Sequence, residues 1–254
     1  MRIRIKFRKY GVMRFIGHLD IMRYFQKAIR RAEIPIVYTE GFSPHQVMSF
    51  AAPLGVGIIS DGEYLDIEVH DSLSTEKAIE KLNQMMVEGI EITNYVQLPK
   101  GAGKAMAVVA AAEYQVFYKE NDLDSMAFSY EQIRNGIDQY FHDRNEIVIT
   151  KTTKKGERTL DIRPYIYRFQ AYQKEGETGF SMLLSAGSQE NIKPELVVQD
   201  FFRYFGKEYD KYAFQIRRVD VYAEASPEDP SGSRFLPLDH FGERITQERE
   251  QVNG

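Results

Sequence analysis

The chain has 254 residues and no cysteine, and that absence alone removes several kinds of chemistry. Without thiols there is no disulfide framework, no thiolate nucleophile, no cysteine-held zinc and no iron-sulfur cluster. Any redox or radical chemistry must then reside on a partner. Long apolar runs are missing too: Met1 to Lys6 alternates charged and aliphatic residues, and no later stretch reaches the roughly 18 apolar residues of a membrane span. The expectation is a cytoplasmic protein with no membrane contact. There is also no P-loop, no HExxH and no GxSxG, and no spacing of histidines and carboxylates demands a metal. No cofactor is expected.

What is present is a local excess of positive charge. Ten of the first thirty-one residues are Lys or Arg against a single acid, Asp20, in a chain whose formal net charge is −4. A basic patch on an otherwise acidic protein usually has a local purpose. From residue 19 the apolar Leu19, Met22, Phe25 and Ile29 recur at helical spacing, while Arg23, Lys27, Arg30 and Arg31 recur at i, i+4, i+7 and i+8 on another face. One helix thus carries a buried stripe and a cationic stripe, and such a stripe suits a phosphate backbone. The plainer alternative is a solvated helix face.

With 43% hydrophobic residues the chain can fill one large core or two modest ones. Residues 1–98 read as strand, helix, strand, strand, helix, strand, with Ser74 capping the second helix and Gly89 ending it. This is the ferredoxin-like βαββαβ order. Residues 99–112, rich in glycine and alanine, read as a linker. Residues 113–223 repeat a similar order with an extra or longer strand, Ser129 capping one helix and Pro194 opening another. The fold class expected is therefore α+β, two ferredoxin-like lobes, a layout that suggests structural duplication although no sequence repeat is visible. Residues 224–254, beginning Glu224-Ala225-Ser226-Pro227, have the composition of a disordered tail.

The unusual residues concentrate between positions 14 and 68. His18 and Asp20 stand at the start of the basic helix, where unpaired N–H groups and the positive dipole end point. The Gly41-Phe42-Ser43-Pro44-His45 turn, stiffened by Pro44, can present Phe42 to a base and His45 to a phosphate. His18, Asp20 and His45 are the candidate catalytic residues: the two histidines as general acid and base, with Asp20 orienting one of them. Structural roles compete at each position, as dipole partner, capping residue or ordinary turn. The glycines of Ala51-Ala52-Pro53-Leu54-Gly55-Val56-Gly57 can admit a ligand backbone, though without a dinucleotide-fold setting. Glu63, Asp66 and Glu68 supply carboxylates nearby. A second basic run holds Lys151, Lys154, Lys155, Arg158 and Arg163, and reads equally as a charged hairpin. Arg23, Lys27, Arg30, Arg31, Phe42, Lys151, Lys154 and Lys155 form the expected nucleic-acid contacts.

Phe15-Ile16-Gly17-His18-Leu19-Asp20, Arg30-Arg31-Ala32, Gly41-Phe42-Ser43-Pro44-His45, Ser49-Phe50-Ala51, Pro53-Leu54 and Gly62-Glu63-Tyr64-Leu65-Asp66 resemble the bacterial radical-SAM-associated, or radical-SAM-linked, proteins of unknown function. The rest of the chain resembles that family in length and layout. The resemblance implies a companion of a radical SAM protein of the B12-binding type, encoded beside it or fused after it. It supplies no reaction and no catalytic assignment. One position departs: a proline and a basic residue commonly follow the matched His45, whereas this chain has Gln46-Val47. That speaks against a phosphate contact at the turn itself. Lacking cysteine, the chain is not itself a radical SAM enzyme. The leading expectation is a non-catalytic accessory protein that binds or presents RNA. The alternatives are a cofactor-independent RNA-processing or RNA-modifying enzyme using His18 and His45, and a protein-interaction scaffold whose basic face docks on an acidic partner.

Overall fold

The computed structural model describes residues 1–119, 126–153, 156–187 and 190–246, with residues 152 and 153 described in backbone only. The elements run β1 (Arg2–Lys9), α1 (His18–Arg31), β2 (Met48–Phe50), β3 (Ile59–Glu68), α2 (Thr75–Gln84), β4 (Ile90–Gln97) and α3 (Ala105–Val108). They continue with β5 (Val109–Tyr118), α4 (Tyr130–His142), β6 (Val148–Thr153), β7 (Gly156–Asp161), β8 (Ile166–Lys174) and β9 (Glu177–Ser185). The last are α5 (Pro194–Tyr204), β10 (Phe214–Glu224), β11 (Phe235–Pro237) and β12 (Glu243–Arg244). The protein is thus mixed α+β, with a large sheet and five helices among the described residues. It divides into two units, Met1–Ala110 with the chain from Asp220 onward, and Ala111–Val219.

In the first unit the strand order is β12-β4-β1-β3, with β2 on β3. The pairs β1–β3, β1–β4, β2–β3 and β12–β4 are all antiparallel. Ile3, Ile5 and Phe7 of β1 are buried as their alternation predicts, and α1 covers them with Ile21, Phe25, Ala28 and Ile29. The buried stripe of α1 is therefore rotated from its expected position: Leu19 is exposed and Met22 only half-buried. Ile21, Phe25, Ala28 and Ala32 lie close to one line at i, i+4, i+7 and i+11, and the sheet selects that line. Ser74 caps α2 by accepting from the Lys77 amide. Gly89 then takes a φ of +97°, and an added Cβ would lie 2.7 Å from the Tyr10 carbonyl. Only glycine suits both demands.

Two boundaries differ from the sequence expectation. The segment expected as a 99–112 linker contains α3 and the start of β5, with Ala105, Ala111 and Ala112 buried. Small side chains there permit close packing instead of marking a flexible joint. The segment expected as a disordered 224–254 tail is structured over its described part, residues 225–246: β11 pairs with β10, β12 with β4, and Leu238 is fully buried. Polar anchors add to this. The Arg4 guanidinium donates to the Leu238 carbonyl at 3.0 Å, the Thr75 amide to the Ile245 carbonyl at 2.9 Å, and the Ile245 amide to Thr75 Oγ1 at 2.9 Å. Asp239 lies 2.8 Å from the hydroxyl of buried Tyr64 and accepts from Asn94. Tyr64 also meets Asp220, which binds Lys6 at 2.6 Å; burial pushes the Asp220 carboxyl above the usual range.

In the second unit the order is β5-β9-β8, with antiparallel pairs β5–β9 and β8–β9, and β10 neighbours β5. The hairpin β6–β7 forms a separate two-stranded sheet. Ser129 caps α4 in a reciprocal box with Gln132. Phe201 of α5 stands at the centre of a cluster of aromatic rings drawn from α4, α5, β8 and β9.

Candidate nucleic-acid interface

With its buried line against the sheet, α1 must turn its opposite face to solvent, and at 3.6 residues per turn that face carries Arg23, Lys27 and Arg30. All three are exposed, as is Arg31. Arg30 and Arg31 in the last turn and Asp20 in the first each complement the helix dipole. Asp20 lies 3.6 Å from Arg23, but both side chains are about two-thirds exposed, 68% and 70%, so solvent screens the pair. Arg31 is committed to the Met85 carbonyl at 2.9 Å, which ties α1 to the end of α2. Among the described residues Lys27 and Arg30 form no ion pair. The row Leu19, Arg23, Gln26 and Arg30 thus carries two exposed cations, with the half-buried, neutral Gln26 between them and an exposed apolar residue at its start.

The Gly41–His45 turn is held against this helix. Thr39 and His45 are joined by the Thr39 amide to the His45 carbonyl at 2.9 Å and by the His45 amide to Thr39 Oγ1 at 3.1 Å. Gln46, almost wholly buried, donates to the Gln26 carbonyl of α1 at 3.1 Å. Gln26 lies on the cationic side of the helix, between Arg23 and Arg30, so the turn is fastened beside the stripe. Phe42, at the tip, is fully exposed. Near the other end of the stripe, Arg14 stacks over the exposed Phe15 ring at 4.7 Å.

The candidate acid and base are not brought together. The His18 ring packs edge-on against Phe50 at 5.4 Å and lines a cavity of about 20 Å³ with Lys9, Leu54 and Glu63. His45 Nδ1 lies 3.1 Å from Thr39 Oγ1, within its own turn. Among the described residues no hydrogen bond, ion pair or ring contact joins His18, Asp20 and His45. Glu63 accepts from Ser60 at 2.5 Å, and Lys9 donates to the Ile16 carbonyl at 2.7 Å, so these buried groups serve the cavity wall. Asp66 is taken by Arg4. The Gly57 amide donates to the Arg14 carbonyl at 2.8 Å, which uses the glycine loop inside the fold.

In the second basic run Lys154 and Lys155 lie outside the described residues. Lys151 and Arg158 both bind Glu190, Arg158 at 3.0 Å, and Arg163 lies over the Phe141 ring at 5.7 Å. Lys151 and its neighbour therefore neutralise a buried carboxylate, and that ion pair lowers the Glu190 pKa, chiefly through the Lys151 hydrogen bond. A depressed carboxylate stabilises the fold above the ordinary glutamate range and loses that contribution as pH falls through its folded value. Thermal melts should accordingly show wild type losing stability on acidification more steeply than Glu190→Gln. Equal pH profiles would refute the pairing.

Sequence reasoning missed the exposed Phe15 and Leu19 and the Gln46–Gln26 fastening. The Gln46 amide bonds the main-chain carbonyl of residue 26, which any residue there would supply, so the sequence carried no signal for it. A family model described as an uncharacterized protein conserved in bacteria, DUF2344, matches residues 2–194. The chain belongs to that family. No curated protein matches this DUF2344 chain. Among solved structures, one described as a Cbf5-Nop10-Gar1 complex is similar at 10% identity and a TM-score of 0.45, covering 86% of this chain and 48% of that one. This chain thus spans about half the length of that neighbour.

Proposed function

We propose that this DUF2344 protein is a non-catalytic accessory protein that binds or presents RNA to a companion radical SAM protein of the B12-binding type. The observation that carries the RNA part is the juxtaposition of Arg23, Lys27 and Arg30 with the exposed Phe42 turn, fastened through Gln46 to Gln26. Lys27 and Arg30, which form no ion pair among the described residues, and Arg23, whose pair with Asp20 is screened by solvent, attract phosphates, and an aromatic beside them offers a stacking surface. The companion part rests on the resemblance of residues 15–66 to radical-SAM-linked proteins. In this reading each unit is a ferredoxin-like lobe and the two arose by duplication. Both place the first strand between the third and the fourth, as β4-β1-β3-β2 and β10-β5-β9-β8, with the β6–β7 hairpin inserted in the second.

The test is RNA binding by the double charge reversal Arg23→Glu/Lys27→Glu. Each lost phosphate contact should flatten the slope of log affinity against log salt by about 0.7 for a single strand, so affinity at moderate salt should fall at least ~10-fold. Unchanged affinity and slope would reduce the stripe to a solvated surface. Capture of the companion protein, lost in the same variant without any RNA binding, would favour the scaffold. RNA cleavage or modification by the protein alone, lost in His18→Ala or His45→Ala, would favour the enzyme.

A further inference from the structure

Resting on that RNA-binding reading, we infer that the α1 interface takes single-stranded RNA, with an unpaired base stacked on Phe42 and neighbouring phosphates along Arg23, Lys27 and Arg30. Three observations carry this. First, Phe42 is fully exposed at the tip of a turn whose two sides are cross-bonded through Thr39 and His45, so the ring is presented by an ordered backbone. Among the described residues it has no ring or cation partner, whereas Phe15 already carries Arg14 at 4.7 Å. Second, Gln46 holds the turn to Gln26, midway along the cationic row, so the stacking surface and the charges lie on one side of one helix. Third, Arg23 to Arg30 spans about 10 Å of helix rise, a short reach that suits a few nucleotides of one strand.

The chemistry separates a single strand from a duplex. In an A-form duplex the base faces are stacked on one another and the protein meets phosphates and 2′-hydroxyls, so the Phe42 ring would have no π-face to contact. In a single strand each base can leave the stack and lie on an aromatic ring, while the cations follow the backbone. A surface built from charges alone would bind both forms. The added aromatic gives a preference.

The experiment measures fluorescence anisotropy of a labelled single-stranded oligoribonucleotide and of the same strand annealed to its complement, with the full-length protein and with Phe42→Ala and Phe42→Tyr. Because Phe42 is wholly exposed, neither substitution disturbs packing. The expected result is tighter binding of the single strand, an about tenfold loss of that binding in Phe42→Ala, retention in Phe42→Tyr and no change for the duplex. Equal affinity for both forms, or a Phe42→Ala variant that binds the single strand like wild type, would overturn the assignment. If wild type still binds RNA in that case, with the salt dependence described above, the RNA-binding reading stands and only the single-strand assignment fails. If wild type binds neither form, both fail together.

Discussion

Asp66→Ala should lower the stability of the first unit by about 3–5 kcal/mol, because it strands a buried guanidinium. Arg4 is 2% exposed and Asp66 5%. The pair is bidentate, with Arg4 Nε to Oδ1 at 2.7 Å and Nη2 to Oδ2 at 2.9 Å. The same carboxylate accepts the Ala105 amide at 2.8 Å, and Arg4 also reaches the Leu238 and Gly103 carbonyls at 3.0 and 3.3 Å. With Asp66 gone, two neutral carbonyls remain for a full positive charge that water does not reach. Replacing both partners by apolar residues, as in Arg4→Met/Asp66→Leu, should recover most of the loss, since the pair offsets its own desolvation only while intact. Urea unfolding of the two variants checks this. A loss under ~1 kcal/mol for Asp66→Ala would mean that solvent or another group reaches Arg4.

This pair also shows where sequence reading stops. Asp66 stood among the carboxylates near the glycine loop, and nothing in the alternation of β3 names its partner. The answer lies in the register: Arg4 and Asp66 are directly opposed across β1 and β3, and a shift of one residue between the strands would have put the two side chains on opposite faces of the sheet. The same limit applies to Lys151, whose partner Glu190 is 39 positions away. Charge composition gives the cation but not the carboxylate that consumes it.

Patterns set by local geometry were legible. The helical period separated the cationic side of α1 from its buried side, with only Leu19 and Met22 misplaced, because the period fixes the width of a stripe better than its centre. Ser74, Ser129 and Pro194 marked the helix starts through their capping and backbone chemistry. The C-terminal segment was illegible for the opposite reason. Its Ser226–Ser233 stretch has the composition of an unfolded chain, while the residues that dock it, Leu236, Leu238 and Asp239, meet partners in β1, β3, β4 and β10 that are distant in sequence. Short strands such as β11 and β12 carry too few residues to show a period. At the interface, the cations were visible but the Gln46–Gln26 fastening was not, since a side chain bonded to a helix carbonyl leaves no sequence pattern.

Phe201→Ala should cost the second unit about 3–5 kcal/mol, the range for deleting a buried aromatic. Phe201 is fully buried, and its ring meets Phe205 at 4.9 Å, Phe180 at 5.2 Å, Phe128 and Tyr140 at 5.5 Å and Phe169 at 5.9 Å. Those rings come from α4, two strands, the residue that follows α5 and the segment before α4, so no single element can shift to close the hole. Gly136 of α4 gives a way to prove that the loss is a cavity. An added Cβ there would lie 3.0 Å from the Phe201 ring and 3.1 Å from that of Phe205. Gly136→Ala alone should therefore be destabilising, although alanine normally favours a helix interior by ~0.5–1 kcal/mol. In the Phe201→Ala background the nearer obstacle is gone, and the same substitution should cost less or become stabilising. Denaturant unfolding of the four proteins in this cycle measures the coupling between the two sites. Additive effects would mean that the core relaxes around the missing ring, and the close approach of α4 to α5 would then have no energetic weight.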